Sequence, residues 1–174
     1  DCAVFERFIE ENRKQAIKRV YDDFPQIGLE VYSDEIVYVY RECEETKRFL
    51  TRSYEVVYSL PDEIWQRPWI KVLLIGEREL LDKYEPIYRT EYKYLDVVAN
   101  GVSKGKGMLD MAKKIGIEQN KIIAVGDNMN DISMLEVAGI SYAVENAEES
   151  VKKIADNLAP SNNGGAIAYI INRL

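Results

Sequence analysis

The sequence predicts an α/β protein in which an α+β domain precedes part of a parallel, helix-covered sheet. From residue 100 onward, helical and strand patterns alternate regularly, as in parallel sheets with helices on both faces. Residues 121–125 (KIIAV) form a continuous apolar run, as expected of a strand that is covered on both sides. Earlier strand patterns follow one another directly, which indicates antiparallel pairing. The predicted domains are therefore residues 1–94 and 95–174.

The first domain is predicted to combine helices with short strands. Apolar residues recur at helical spacing over residues 4–24. Residues 27–40 alternate as two strands around a turn at Ser33 and Asp34. The other predicted elements are helices at 44–52, 61–66 and 77–88 and strands at 56–58, 69–75 and 92–99.

The second domain is predicted to alternate helix and strand to its end. A helix over residues 105–115 is followed by Gly116, the residue type that favours a left-handed C-terminal cap. The strand at 121–125 comes next and leads into Gly126. The remaining elements are helices at 131–138, after Asn146 and at 166–174, a strand at 140–144 and a loop at 161–165.

Composition excludes several classes of function. The net charge of −7 disfavours nucleic acid as a partner, and no apolar run approaches the roughly 20 residues of a membrane-spanning helix. The sequence has no histidine, which excludes Ser-His-Asp and Cys-His catalysis and His-ligated zinc. Two widely separated cysteines, Cys2 and Cys43, favour a reducing cytoplasm. Any catalysis must therefore use carboxylates, lysines or a hard metal ion.

The strongest candidate site is the GDNMND segment at residues 126–131. Asp127 leaves the apolar strand at its carboxyl end, where ligands bind in open α/β sheets, and Asp131 opens the next helix. Two carboxylates together with a substrate phosphate form a common Mg²⁺ environment. Alternatively, Asp131 or Asn130 only caps the helix and Asp127 only occupies a turn. Both interpretations remain open at this point.

Residues 101–107 (GVSKGKG) superficially match a phosphate-binding P-loop. The match fails because only three residues separate Gly101 from Gly105-Lys106, and Gly107 stands where Ser or Thr is required. A nucleoside triphosphatase of that type is therefore disfavoured.

Two segments resemble a known family. Residues 126–135 (GDNMNDISML) resemble the fourth motif of Cof-type phosphatases, which belong to the haloacid dehalogenase superfamily and carry a type IIB cap. Residues 101–105 (GVSKG) resemble the third motif, and the close match extends over about residues 95–174. The resemblance implies that 95–174 is the C-terminal half of a Rossmann-like core and that 1–94 is an α+β cap domain, incomplete at its N-terminus.

The resemblance also implies roles for four residues. Lys104 is the catalytic lysine, which neutralises the phosphoryl group and the nucleophilic carboxylate, with Lys106 as its competitor for that role. Asn130 contacts the phosphate together with Lys104. Asp127 binds Mg²⁺, and Asp131 supports the metal directly or through water. The implied activity is Mg²⁺-dependent hydrolysis of a small phosphorylated metabolite, of the sugar-phosphate type, through an aspartyl-phosphate.

The nucleophile motif of that family, Asp-x-Asp-Gly-Thr, does not occur in this sequence. Asp96 cannot replace it because Val98 stands where the second aspartate is needed. We therefore expect an inactive C-terminal fragment of a longer enzyme, with an exposed core edge that favours self-association. The alternative is a non-catalytic remnant or binding module with a half-core. The phosphorylation domain of a cation-pumping ATPase is disfavoured because no membrane span is present.

Overall fold

The computed structural model describes residues 6–34, 36–41, 55–59, 61–76, 88–91 and 94–173, with backbone alone at 88–91. The chain divides into two compact units, Asp1–Asn100 and Gly101–Leu174. This division lies six residues after the predicted boundary at residue 94, because the strand Tyr94–Val98 pairs within the first unit's sheet.

The first unit is an α+β structure built on a six-stranded sheet. In the parts of this unit that the structure describes, α1 is the α-helix (Glu11–Asp23), and a 3₁₀ helix covers Asp62–Gln66. The strands are β1 (Gly28–Ser33), β2 (Ile36–Tyr40), β3 (Glu55–Val57), β4 (Lys71–Ile75), β5 (Tyr88–Glu91) and β6 (Tyr94–Val98). Their order is β3-β2-β1-β4-β6-β5, and every pair is antiparallel except β2 with β3.

The predicted hairpin is present. Strands β1 and β2 pair so that Ser33 lies opposite Ile36, and Asp34 adopts a left-handed conformation with φ of 54° in the turn between them. Asp is one of the residue types that tolerate this conformation. The predicted helix at 44–52 and most of that at 77–88 lie outside the described residues.

Helix α1 begins later than residue 4, where the helical pattern starts. Residues 6–10 are not helical, and the backbone N–H of Ile9 donates to the carbonyl of Trp69 at 2.8 Å. This long-range bond takes the segment out of the helix. Ile17 and Val20 of α1 then pack in the core with Trp69, whose indole Nε1–H donates to the carbonyl of Ile64 at 2.7 Å.

The second unit contains a parallel sheet with the order β7-β8-β9, which confirms the predicted α/β class. Its helices are α2 (Lys104–Ile115), α3 (Ile132–Leu135), α4 (Glu149–Lys152) and α5 (Ala166–Ile171). Its strands are β7 (Ile123–Gly126), β8 (Ile140–Val144) and β9 (Asn157–Ala159). Three-residue 3₁₀ helices occupy Gln119–Lys121, Met129–Asp131 and Asn162–Gly164.

Several details of this unit differ from the sequence prediction. The strand predicted at 121–125 begins at Ile123, because Gln119–Lys121 forms a 3₁₀ helix, and the helix predicted at 166–174 ends at Ile171. The helix predicted at 131–138 is a 3₁₀ turn followed by the single turn of α3. Strand β9 was not predicted, because only Ala159 of its three residues is buried. Gly116 has φ of 74°, as the predicted C-terminal cap requires.

Parallel pairing brings the carboxyl ends of β7, β8 and β9 to one edge of the sheet. The loops after these strands also bond to each other. The carbonyl of Asp127 accepts from the N–H of Glu148 at 3.0 Å, and the side-chain oxygen of Asn146 accepts from the N–H of Asn162 at 3.1 Å. This edge carries the candidate site. No helix among the described residues has the length and apolar character needed to cross a membrane.

Candidate functional site

Asp131 is the best anchored carboxylate of the site. Only 3% of its surface is exposed. Its Oδ2 accepts hydrogen bonds from the backbone N–H groups of Asp127 at 2.9 Å and of Asn128 at 3.1 Å. Its Oδ1 accepts from the Nζ of Lys104. A buried carboxylate needs compensation of this kind, because removing its charge from water is costly.

The end of β7 must be glycine for this packing to exist. A Cβ atom added at Gly126 would lie 2.6 Å from the Cβ of Asp131. Because any larger residue would displace the carboxylate, Gly126 serves close packing here. Its backbone does not adopt a left-handed conformation.

Lys104 reaches the carboxylates from the first turn of α2. Ser103 caps this helix, and its hydroxyl accepts from the N–H of Lys106 at 3.1 Å. The Nζ of Lys104 donates to Asn130 Oδ1 at 3.1 Å and to Asp131. The ammonium of Lys106 instead pairs with Asp110, one turn along the same helix, at 2.9 Å. Lys104 is therefore the lysine that lies beside the carboxylates.

The two carboxyl groups of the motif have opposite electrostatic environments. Partial desolvation of its carboxyl group, a hydrogen bond shared with Asp131 and repulsion from the charge of Asp131 raise the pKa of Asp127 above its usual value, although much of the residue is exposed. Burial alone would also raise the pKa of Asp131, but the hydrogen bonds from Lys104 and from two backbone amides outweigh it and lower that pKa. Asp131 therefore ionises first, and Asp127 ionises against a neighbouring negative charge.

The structure brings all four predicted site residues together. Lys104, Asn130 and Asp131 are joined by hydrogen bonds, and Asp127 lies beside Asp131. The capping interpretation also holds for Asp131, because its carboxylate and the Asn128 side chain form a capping box around the 3₁₀ turn. Asp131 can cap the turn and also belong to the site, because its Oδ2 accepts from the backbone of Asn128 and its Oδ1 accepts from Lys104.

The donor set suits a hard cation only in part. Asp127 is exposed and can offer carboxylate oxygen, the ligand type that Mg²⁺ prefers. Both oxygens of Asp131 are already occupied by protein donors. No three His, Cys, Asp or Glu side chains in the described ranges gather closely enough to hold a metal ion by themselves. These residues therefore fit one side of a Mg²⁺ site and leave other ligands to be supplied.

The family of haloacid dehalogenase-like hydrolases matches residues 3–171, which is nearly the whole chain. This chain belongs to that family. A solved sugar phosphatase of haloacid dehalogenase subclass IIB has the same fold, with a TM-score of 0.86 and 21% identity. The alignment covers 97% of this chain and 68% of that one. The predicted membership of the haloacid dehalogenase superfamily is confirmed.

Two curated relatives of this haloacid dehalogenase-like chain are phosphoglycolate phosphatases. The protein of Archaeoglobus fulgidus is 42% identical over 139 residues, which cover 76% of this chain and 60% of that protein. The protein of Methanopyrus kandleri is 40% identical over 73 residues, which cover 42% of this chain and 32% of that protein. The matched segments span from 32% to 63% of the length of these and two further curated relatives.

Sequence reasoning did not single out Ser133, which lies near the site. The hydroxyl of Ser133 accepts from the backbone N–H of Gly105 at 3.1 Å, which connects the segment of Lys104 to the segment of Asp131. The sequence shows a glycine directly after Lys104 and a serine two residues after Asp131, and this pattern could have pointed to the contact.

Asp96, which was excluded as a nucleophile from the sequence, lies in β6 of the first unit and forms an ion pair with Lys71 at 2.6 Å.

Proposed function

We propose that Lys104, Asp127, Asn130 and Asp131 form one side of the active site of a Mg²⁺-dependent phosphatase that hydrolyses small phosphomonoesters. One observation carries this proposal: the Nζ of Lys104 bridges Asn130 and Asp131 directly beside Asp127. A cation among oxygen ligands at the carboxyl edge of a parallel sheet is suited to a phosphoryl group.

Lys104 provides fixed positive charge in this proposal. Phosphoryl transfer depends mainly on positioning and on cations around the equatorial phosphoryl oxygens. Half of the Lys104 side chain is exposed, so its ammonium can contact a phosphate while its bond to Asp131 holds its place. The amide of Asn130, which lies next to that ammonium, provides a neutral contact for the same group.

Asp127 and Asp131 take different parts. Asp127 is exposed and would bind the metal directly, whereas Asp131 holds the loop and Lys104 in position through bonds to both of its oxygens. Mg²⁺, when bound, would polarise a phosphoryl oxygen and neutralise charge that develops during transfer. The role proposed for Asp131 is thus the indirect one of the two that the family resemblance implies.

The substrate class is a small phosphorylated metabolite of the sugar-phosphate type. The name of a subclass IIB sugar phosphatase supports the sugar-phosphate type. The names of two phosphoglycolate phosphatases support only a small phosphorylated metabolite. The first unit corresponds to the α+β cap in this proposal, and the second unit to the C-terminal half of the core. The scarcity of cysteine favours the cytoplasm.

The proposed chemistry needs a nucleophilic aspartate, and this sequence contains no Asp-x-Asp-Gly-Thr motif. We therefore expect the chain by itself to be inactive and to contribute its residues to a site that contains this aspartate. That missing motif also favours the second candidate function, a non-catalytic module with the same half-core that associates with itself or with a partner.

The two candidates are separated by binding experiments on this chain. Amide signals of residues 126–131 are followed by NMR during titration with MgCl₂, in the presence and absence of inorganic phosphate. If the phosphatase proposal holds, these signals shift in a saturable way as MgCl₂ is added. Asp127→Ala should abolish the shifts. Asp110→Ala should keep them, because Asp110 pairs with Lys106 on α2 and has no role in the proposed metal site. An identical response in both variants, or none in the unmodified chain, would reject it.

A further inference from the structure

Helix α2 and helix α3 are in direct backbone contact at Gly105. A Cβ atom added there would overlap the carbonyl oxygen of Ser133. No other residue type allows this approach without moving one of the helices, since every other side chain begins with a Cβ atom. The contact lies one residue after Lys104 and two residues after Asp131, so it joins the two segments that meet in the site.

A single side-chain hydrogen bond fixes this contact. The first turn of a helix leaves backbone N–H groups without intrahelical partners. In α2, the N–H of Lys106 is capped by the hydroxyl of Ser103 at 3.1 Å, which belongs to the same helix. The N–H of Gly105 donates to the hydroxyl of Ser133 at 3.1 Å, which belongs to the helix that follows Asp131.

We infer that Ser133 is a positioning residue that holds the ammonium of Lys104 on Asp131. The inference rests on the proposed function, in which that ammonium serves the phosphoryl group. A lysine side chain has many rotamers and loses substantial entropy when it is held in one place. When the backbone at Lys104 is held against the segment of Asp131, only the lysine side chain still has to be ordered. The entropy lost on forming the bond to Asp131 is then smaller.

Ser133 acts here through another residue and touches neither metal nor phosphate. Its bond to Gly105 sets the register of α2 along α3, and the register determines how far Lys104 lies from Asp131 and Asn130. Displacements of about 1 Å in a positioning contact can lower rates by about a hundredfold. The site therefore requires the hydroxyl of Ser133 to position Lys104, although Ser133 lies outside the cluster of charged residues.

The chain contains a matched control for this idea. Ser133→Ala and Ser103→Ala each remove one serine hydroxyl that accepts, at the same distance, from a first-turn N–H of α2. Both changes weaken helix capping, so a purely structural effect is common to the two variants. Only Ser133→Ala removes the connection between the Lys104 and Asp131 segments.

The experiment measures the ammonium of Lys104 itself by ¹H–¹⁵N NMR of lysine side chains at low temperature and mildly acidic pH. Lys104→Arg assigns the signal. Ser133→Ala is expected to move this signal towards that of free lysine and to speed its proton exchange with water by about tenfold, as for loss of one hydrogen bond. Ser103→Ala is expected to leave both quantities near those of the unmodified chain.

Two results would overturn the inference: an unchanged Lys104 signal in Ser133→Ala, or equal changes in the two serine variants. Amide exchange of Gly105, measured in the same samples, reports whether the first turn of α2 remains formed. The readout uses neither metal nor substrate. Its outcome is therefore independent of the Mg²⁺ and phosphate titration, which tests the proposed function separately.

Discussion

Lys104 and Asp131, 27 residues apart in the chain, are joined by a charge-assisted hydrogen bond from Nζ to Oδ1. Asp131 is almost fully buried, whereas half of the lysine side chain is exposed. Asp131 is therefore the anchored partner of the pair and Lys104 the accessible one. This difference determines what substitution of Lys104 should cost.

Lys104→Met is expected to lower the free energy of unfolding by about 1 kcal/mol, because the buried Asp131 oxygen loses a charged donor while water can partly replace it. Chemical denaturation measures the change. Lys106→Met is the control, since it breaks an exposed pair with Asp110, and its expected cost is below about 0.5 kcal/mol. Equal costs would show that the bond to Asp131 contributes nothing beyond a surface pair.

Asp127→Asn is expected to stabilise the fold and to abolish the response to Mg²⁺. The pKa of Asp127 is raised by partial desolvation of its carboxyl group and by the adjacent Asp131, so its ionised form is less favourable in the folded state than in the unfolded one. Removing that charge removes the penalty at neutral pH. Thermal unfolding without metal measures the gain, and a decrease in Tm in the variant would contradict the assigned electrostatics.

Gly105→Ala and Gly107→Ala are expected to have opposite effects although both lie in α2. An added Cβ at Gly105 overlaps the carbonyl of Ser133, whereas nothing lies within 4 Å of one at Gly107. We expect a loss of about 2–3 kcal/mol at Gly105 from overpacking. At Gly107 we expect a gain of about 0.5–1 kcal/mol from higher helix propensity. Urea unfolding of both variants tests the pair, and a gain at Gly105 would contradict the observed helix contact.

Asp156 is expected to make stability depend on pH in the acidic range. Its Oδ2 accepts from the hydroxyl of Ser141 at 2.8 Å and from the N–H of Ser141 at 2.9 Å, and these bonds lower its pKa in the folded state. A lowered folded pKa stabilises the fold above the unfolded value of about 3.9. That contribution is lost as pH falls through the folded pKa.

The measurement is the free energy of unfolding from pH 6 down to the acid transition. Asp156→Asn should make the free energy of unfolding depend less steeply on pH in this range. Ser141→Ala should do so only in part, because it removes the hydroxyl donor and leaves the N–H donor. If the free energy of unfolding of Asp156→Asn still falls as steeply with decreasing pH, other carboxylates cause the acid sensitivity.

The edge of the sheet that carries the site was predictable because short-range patterns determine it. An apolar run ending in Gly126-Asp127 places a carboxylate at a strand end, and the family resemblance pointed to Lys104. The pairing of Lys106 with Asp110 follows from their i, i+4 spacing within one helix. The contact of Gly105 with Ser133 was not predictable, since it depends on how two helices pack in three dimensions. The start of α1 depended likewise on the bond from Ile9 to Trp69.

The bonds that Asp131 makes inside its own loop have a consequence for cation binding. Because Asp127 and Asn128 already donate their N–H groups to its carboxylate, the turn that presents Asp127 is preorganised by the polypeptide alone. In the proposed metal site, an arriving ion would have no backbone to order in this turn and would avoid that entropic cost. Its affinity would then depend on the charge of Asp127 and on the other ligands of the ion.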